Sequence, residues 1–142
     1  MKVTTHLAAA LAALAGGASG KSYTAVYFDP PYNWIPGPRL MPSRVLEGFN
    51  EPYSSHTRHT WVRLMKQECD GVPDCSSLAV FSAIPQESQP QPRVWYGYLF
   101  SGPEIVPRDF VRQESTSYNV RDSAAFNAYS SDQLLNITDI DT

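Results

Sequence analysis

The chain is poor in the residues from which catalytic and metal sites are often built, because it has only two cysteines and three histidines among 142 residues. After residue 20 no apolar run approaches the length that a membrane-spanning helix needs. Glycine has no three-residue period and no heptad of apolar residues is sustained, which excludes collagen and coiled coil. The chain is 42% hydrophobic and 12% aromatic, which is too apolar for a wholly disordered protein. Length and composition therefore predict one globular domain with its own core.

The sequence also lacks the motifs of well-known catalytic chemistry. No serine lies in a Gly-x-Ser-x-Gly turn, there is no His-Glu-x-x-His, and the cysteines do not have Cys-x-x-Cys spacing. The acidic residues Glu68, Asp70 and Asp74 cluster around the cysteines, where we expect solvated charges and turn formation. We therefore expect no catalytic residue, no metal site and no cofactor. A small secreted hydrolase with an unrecognised active site is the alternative to a binding function.

Residues 1–20 have the pattern of a secretory signal peptide. Lys2 precedes an apolar run over residues 7–15, which is followed by five small residues. The run is too short to cross a bilayer, and glycines end it. The pattern predicts a secreted, extracellular protein.

Two positions in this segment fit removal of the signal. Cleavage after Ala15 would start the mature chain at Gly16, and cleavage after Gly20 would start it at Lys21. The mature protein is then expected to be a single secreted domain over residues 21–129.

The net charge argues against nucleic acid as a partner. Eleven basic and fourteen acidic residues give −3, and loss of Lys2 with the signal leaves ten against fourteen, or −4. A phosphate-reading surface needs clustered lysine and arginine, whereas the arginines stand singly along the sequence. We expect an extracellular glycan or protein as the partner, with no nucleic acid and no membrane span. The arginines are Arg39, Arg44, Arg58, Arg63, Arg93, Arg108, Arg112 and Arg121.

The two cysteines, Cys69 and Cys75, are predicted to form one short-range disulfide, because an oxidising exterior favours it. Zinc is a poorer explanation, since two thiolates without a nearby histidine pair would leave the metal undercoordinated. A ring of this size stabilises the fold by about 2.4 kcal/mol in the loop-entropy relation.

Three segments have the composition of strands in the body of the domain. Ser22–Phe28 is rich in strand formers and stops at a proline pair. Ser76–Ile84 is a nearly continuous apolar run, which is typical of a central strand covered on both faces. Val94–Phe100 has the strongest strand signal, and we expect it to form an antiparallel hairpin with Ser76–Ile84. A further, edge-like strand is expected within Phe110–Tyr118.

The alternation within residues 94–100 predicts the two faces of this strand. Tyr96 and Tyr98 share one face, which we expect the proline-rich segment to cover; the alternative is that this face is exposed to a partner. Trp95 and Gly97 lie on the other face, and the glycine indicates that a helix approaches there.

Other segments are predicted to be irregular or helical. Asp29–Pro52 contains six prolines and is expected to be a long, stiff loop without regular structure. One amphipathic helix is expected over about Ser55–Cys69, with Ser54 or Ser55 as its N-cap. After Asn119 the last candidates for packing on the core are Ala124, Ala125, Phe126 and Tyr129.

Residues 130–142 are expected to form a flexible C-terminal tail. This tail holds the single Asn-x-Ser/Thr sequon of the chain, at Asn136. The sequon is a glycosylation site only if the host is a eukaryote.

The order of these elements resembles the PAN/apple-like modules of extracellular proteins. The resemblance covers residues 53–117 and depends on the segments Cys75-Ser-Ser-Leu-Ala-Val-Phe81 and Tyr96-Gly97-Tyr98-Leu99-Phe100-Ser101-Gly102. It implies an α+β fold in which an antiparallel sheet of three to five strands packs against one principal helix. Degenerate relatives of this kind occur among small secreted fungal proteins. The chain departs from the pattern in having two cysteines where such modules usually have four or six.

What the resemblance implies is binding of protein or carbohydrate. It supplies no ligand residues at matching positions, so a candidate site must be argued from the residues themselves.

A candidate ligand site is predicted at the start of the helix and on the neighbouring loop. A helix N-terminus with hydroxyl and basic side chains favours an anion. An aromatic loop leads into this helix start, so an acidic sugar would stack on a ring and direct its carboxylate at the helix. In the alternative interpretation the indole anchors the loop in the core and the histidines are solvated. The predicted ligand-binding residues are Tyr32, Trp34, Ser54, Ser55, His56, Arg58 and His59.

Overall fold

Seven strands and one α-helix make up the described part of the chain in the computed structural model, which covers residues 20–86 and 91–130. Five strands form an antiparallel sheet in the order β1-β7-β4-β5-β3, and β2 pairs with β6 in a separate two-stranded sheet. The expected α+β class and one principal helix are therefore confirmed. The elements are β1 (Ser22–Ala25), β2 (Trp34–Pro36), β3 (Val45–Pro52), α1 (Arg58–Asp70), β4 (Ser77–Ala83), β5 (Val94–Phe100), β6 (Phe110–Arg112) and β7 (Arg121–Tyr129).

Helix α1 begins later than the sequence predicts. Its N-cap is Thr57, whose hydroxyl accepts from the Thr60 amide at 3.1 Å while the Thr60 hydroxyl accepts from the Thr57 amide at 2.9 Å. Ser54 and Ser55 instead lie in a preceding 3₁₀ turn, Tyr53–Ser55. The expected cap was wrong because this reciprocal pair satisfies two free amides at once, which a single serine does not do.

The apolar stripe of α1 packs on one face of the sheet. Trp61, Met65 and Cys69 are fully buried against inward residues of the strands. Gly97 of β5 has no side chain under the helix, and a Cβ there would collide with Met65 and Trp61. The expectation that the helix approaches the Gly97 face is confirmed. The strand residues of this core are Leu78, Val80, Trp95, Leu99, Ala124 and Ala128.

A second core covers the opposite face of the sheet. Phe100 is buried there, together with loop residues that include Phe28 and Leu40. The cover does not extend over the whole face, because Tyr96 and Tyr98 are half-buried and stack with Phe81.

The expectation of a long loop over Asp29–Pro52 was wrong. This segment contains β2 and the eight-residue edge strand β3. Prolines are compatible with both because they stand at strand ends and on edge positions, where no ladder hydrogen bond needs their amide.

The C-terminal strand β7 also differs from expectation. Its nine residues lie between β1 and β4, near the centre of the sheet, rather than docking through single side chains. Alanine has little intrinsic strand preference, but Ala124 and Ala125 are small enough to let a helix and a loop layer pack closely on the two faces. The strands expected over Ser22–Phe28 and Phe110–Tyr118 are shorter, at four and three residues.

The predicted hairpin and disulfide are both present. β4 and β5 pair antiparallel from Ser77 with Phe100 to Ala83 with Val94. Cys69 and Cys75 are bonded, with Cα atoms 5.4 Å apart, so the end of α1 is tied to the start of β4.

Several predictions concern residues outside the described ranges. They are the body of the predicted signal peptide, the tail from residue 131 and the sequon at Asn136. Within residues 20–86 and 91–130, no helix is both long and apolar enough to cross a membrane.

Candidate ligand-binding site

The start of α1 lies at one end of the sheet, together with the ends of β1, β3 and β4 and the beginnings of β5 and β7. Two clefts open at this end. The tyrosine cleft has a volume of about 410 Å³ and is lined by residues 25–28, Tyr32, Arg58 and residues 123–126. The proline cleft, of about 450 Å³, is lined by residues 50–54 and 92–94.

The tyrosine cleft exists because the chain stops pairing with β7 after Ala25. Val26 still donates to the Ala125 carbonyl at 2.9 Å, and the chain then turns away before its proline pair. It returns at Tyr32, whose carbonyl accepts from the Ser123 amide at 3.2 Å. The excursion between these two contacts forms one wall of the cleft.

Two exposed phenol rings and one guanidinium line this cleft. The side chain of Tyr27 is 72% exposed and that of Tyr32 is 48% exposed. Arg58, the first residue of α1, is exposed and lines the cleft from the helix side. The structure thus brings together Tyr32 and Arg58 from the predicted set, and adds Tyr27, which sequence reasoning did not single out. Tyr27 was missed because it lies in the strand-like run Ser22–Phe28.

Trp34 does not line the cleft. Its ring stacks on Phe28 at 5.5 Å between centroids, and its Nε1 donates to the Asp29 carbonyl at 2.9 Å. The guanidinium carbon of Arg112 lies 4.2 Å from the centroid of the Trp34 ring. Trp34 therefore anchors the loop behind Phe28, which itself lines the cleft.

The side chain of Arg112 fixes the aromatic loop by hydrogen bonds to main-chain carbonyls of that loop. One nitrogen donates to the Pro31 carbonyl at 2.9 Å and to Asn33 Oδ1 at 2.6 Å, and the other donates to the Asp29 carbonyl at 3.2 Å. A planar guanidinium presents several fixed donors at once, so one side chain can fix this turn and the cleft wall with it.

The other predicted site residues lie around the start of α1 without converging. Ser54 lines the proline cleft and Ser55 is exposed. His56 is half-buried, with Nδ1 3.1 Å from Thr60 Oγ1 and its ring tilted against Trp61. His59 lines a shallow depression of about 250 Å³ on the side of α1.

The first three turns of α1 carry four basic residues. His59, Arg63 and Lys66 border this depression, and Arg58 directly precedes His59. We call these four residues the basic flank. The Lys66 ammonium lies 4.3 Å from the ring centroid of Phe126, which lines the tyrosine cleft, so the flank and the cleft are adjacent. The i, i+4 spacing from His59 to Arg63 is the sequence signal of this surface.

A hydrogen-bonded cluster forms the floor beside the proline cleft. Asp122 Oδ2 accepts from Ser82 Oγ at 2.8 Å and from the Tyr53 hydroxyl at 3.1 Å. Arg93 donates to Ser82 Oγ at 2.9 Å, and the hydrogen-bonding pattern assigns the Asn119 amide so that its oxygen accepts from both Arg93 and Arg121. A break in the β4–β7 register and a φ of 65° at Asp122 direct that carboxylate into the cluster.

The charges in this cluster affect one another. Burial raises the pKa of Tyr53, and the Asp122 carboxylate adds to the rise. Burial also lowers the pKa of Arg93, with Arg121 contributing further. Ser82 is fully buried, so its hydroxyl serves the network rather than a molecule in either cleft.

Within the described ranges, no three histidine, cysteine or acidic side chains lie close enough together to hold a metal ion.

Comparison with protein-family models, with curated proteins and with solved structures finds no match to this chain.

Proposed function

We propose that the protein is a secreted binding module whose tyrosine cleft takes a carbohydrate that carries acidic groups. One observation carries the proposal: Tyr27 and Tyr32, from the loop after β1, and Arg58, from the start of α1, line a single cleft of about 410 Å³. This volume lies within the usual range of small-ligand sites.

The chemistry of the lining fits an acidic sugar. The apolar face of a pyranose ring packs on exposed phenol rings, whose hydroxyls stay available to the sugar hydroxyls. A guanidinium pairs with a carboxylate or sulfate through two parallel hydrogen bonds, which fixes the orientation of the ligand. Tyr27 and Tyr32 would thus supply contact area, and Arg58 would select for charge.

The basic flank supports a polymer rather than a single sugar. A chain that places one unit in the cleft would continue over Phe126 towards Lys66 and Arg63. Asp70, at the end of α1, already accepts from Tyr23. Glu68 projects from the other side of the helix by its periodicity, so it does not oppose the ligand.

A PAN/apple-like relationship is part of the same proposal. One helix on an antiparallel sheet, with a disulfide between the end of the helix and the central strand β4, supports it. Export through the N-terminal signal would place the module outside the cell.

The test compares acidic with neutral polysaccharides. Full mature protein would be titrated with oligogalacturonate and chondroitin sulfate and, as the neutral set, with soluble β-glucan and mannan. We expect binding to the acidic set, weakening as salt is raised from 50 to 500 mM, because exposed charge contacts are screened. Arg58→Ala should weaken this binding about tenfold, as loss of a charge-assisted hydrogen bond does.

The matched control is Arg108→Ala, which removes the same charge from an exposed residue of the Pro107–Asp109 turn. It should leave the affinity unchanged. Equal binding of neutral and acidic glycans would overturn the role of Arg58. Absence of glycan binding, with capture of a protein from the host matrix instead, would overturn the carbohydrate proposal. Release of shorter oligosaccharides during the titration would favour the hydrolase alternative.

A further inference from the structure

Lys21 is bound to the end of α1 through both its main chain and its side chain. Its main-chain nitrogen donates to Asp70 Oδ1 at 2.9 Å. Its Nζ donates to the carbonyls of Cys69, Val72 and Cys75 at 2.9, 2.8 and 2.8 Å. One residue therefore joins the first strand to the helix end and to the disulfide loop.

These contacts place a positive charge against carbonyls at the end of α1, two of which also accept from loop amides: Val72 N donates to the Cys69 carbonyl at 3.1 Å and Cys75 N donates to the Val72 carbonyl at 2.9 Å. The last carbonyls of a helix have no intrahelical partner, and α1 has no basic residue in its last turn. The Lys21 ammonium has three donors and uses all three on this loop, and positive charge at a helix C-terminus is favourable. The three donors of the Lys21 ammonium thus match three carbonyls of this loop.

The carboxylate of Asp70 faces Gly20, Lys21 and Tyr23. Its Oδ1 accepts from Lys21 N and also from the Tyr23 hydroxyl at 2.6 Å. Gly20, just before, is exposed, and a Cβ on it would lie 3.3 Å from Asp70 Oδ2. The peptide bond between Gly20 and Lys21 therefore lies directly beside this carboxylate.

We propose that the signal is removed between Gly20 and Lys21, and that the new α-ammonium group of Lys21 forms an ion pair with Asp70. The host signal peptidase would hydrolyse the bond with one water molecule, which leaves a carboxylate on Gly20 and an amine on Lys21. The amine takes up a proton at neutral pH. A neutral amide donor with one hydrogen becomes a charged donor with three, at the same distance from Asp70.

This inference rests on the proposed export of the chain, but it chooses between the two cleavage positions. Cleavage after Ala15 would leave five residues attached and keep a neutral amide at Lys21. Cleavage after Gly20 follows small residues at Ala18 and Gly20, and it starts the chain at the first anchored residue.

The first experiment is intact-mass measurement of the full chain secreted by a eukaryotic host. We expect a mature protein that begins at Lys21. A start at Gly16 would overturn the inference and leave export supported. An intact Met1 would overturn both the inference and the proposed export.

The second experiment measures whether the ion pair forms. Two refolded chains, starting at Lys21 and at Gly16, would be compared by urea unfolding, each with and without Asp70→Asn. We expect the Lys21 start to lower the unfolding equilibrium constant about threefold, and only while Asp70 is present. Asp74→Asn, which removes a charge from the same loop, is the control and should preserve the difference.

The pH dependence gives a further check on the same pair. An α-amino group ordinarily has a pKa of about 7.7–8.0, and a carboxylate at hydrogen-bond distance raises this pKa in the folded state. The advantage of the Lys21 start should be complete below about pH 7 and disappear as pH rises through the raised pKa. An advantage that is absent, or that persists in Asp70→Asn, would overturn the ion pair.

Discussion

The guanidinium of Arg112 lies 4.2 Å from the ring centroid on Trp34, and the same guanidinium donates to the carbonyls of Asp29 and Pro31. Trp34 in turn donates to Asp29 and stacks on Phe28. β2 and β6, which carry Trp34 and Arg112, thus fix the loop that forms one wall of the tyrosine cleft.

Replacing Arg112 by lysine should loosen this wall. A lysine keeps the charge but cannot reach several carbonyls with a planar set of donors, so we expect a loss of about 1–3 kcal/mol in the free energy of unfolding. Amide hydrogen exchange should increase in residues 27–33 before it increases elsewhere. Arg108→Lys, on an exposed turn, is the control. Unchanged exchange in residues 27–33 would show that the loop does not depend on Arg112.

Replacing Gly97 by alanine should destabilise the core under α1. The added Cβ would overlap the buried Met65 side chain and lie 3.3 Å from Trp61, so Met65 must shift within a filled core, at a cost of about 1–3 kcal/mol. Gly71→Ala is the matched control, because a Cβ there would have its nearest neighbour at 3.6 Å and the backbone has φ −85°. Chemical denaturation of both variants tests this. Equal stability of the two would contradict the close contact of helix and sheet.

Thr57→Ala should cost about 1 kcal/mol of stability, because it removes the hydroxyl that accepts from the Thr60 amide. Ser55→Ala should change the stability by less than about 0.5 kcal/mol, since that residue lies outside α1 and is exposed. Thermal unfolding followed by circular dichroism distinguishes them. A larger loss of stability for Ser55→Ala than for Thr57→Ala would show that the N-cap is Ser55, one of the two positions that the sequence predicts.

Alkaline pH should destabilise the protein partly through Tyr23. Burial, with the hydrogen bond to Asp70 and that carboxylate's charge, raises the pKa of this phenol above its ordinary value. The unfolded chain therefore loses the proton first, and stability that is complete below about pH 10 falls as pH rises further.

Tyr23→Phe removes the ionising group, so it should flatten the fall in the free energy of unfolding above pH 10. Tyr27→Phe, on a largely exposed ring, is the control and should leave the slope unchanged. Urea titrations between pH 8 and 11 give the slopes. Parallel slopes for the native chain and Tyr23→Phe would exclude Tyr23 as the cause.

Local patterns predicted the elements that depend on neighbouring residues. The apolar run of Ser77–Ala83, the alternation of Val94–Phe100 and the helical spacing of Trp61, Met65 and Cys69 all have one stable solution, which is burial of their apolar side. Gly97 was informative for the same reason, because a gap in a bulky strand needs a neighbour to fill it. The disulfide followed from two cysteines with five residues between them.

The residues that line the candidate site were predicted only in part. Arg58 and Tyr32 do line one cleft, but Trp34 turns inward onto Phe28 and Arg112, a partner 78 positions away. Tyr27 was missed because only the departure of the chain from β7 exposes it. Such contacts join residues whose separation in sequence carries no periodic signal.

What the sequence determined by itself was thus the helix, the central hairpin, the disulfide and the α+β class, since each depends on the burial of a local apolar pattern or on a short ring. The tertiary structure decided the place of β3 and β7, the cap at Thr57, the grouping of the basic flank next to the cleft and the anchoring of Lys21. These depend on long-range strand pairing and on which carbonyls face Lys21 once the sheet has formed. A proline-rich segment becomes an edge strand and an alanine-rich segment a central one because their partners supply the hydrogen bonds and the packing that their own residues do not specify.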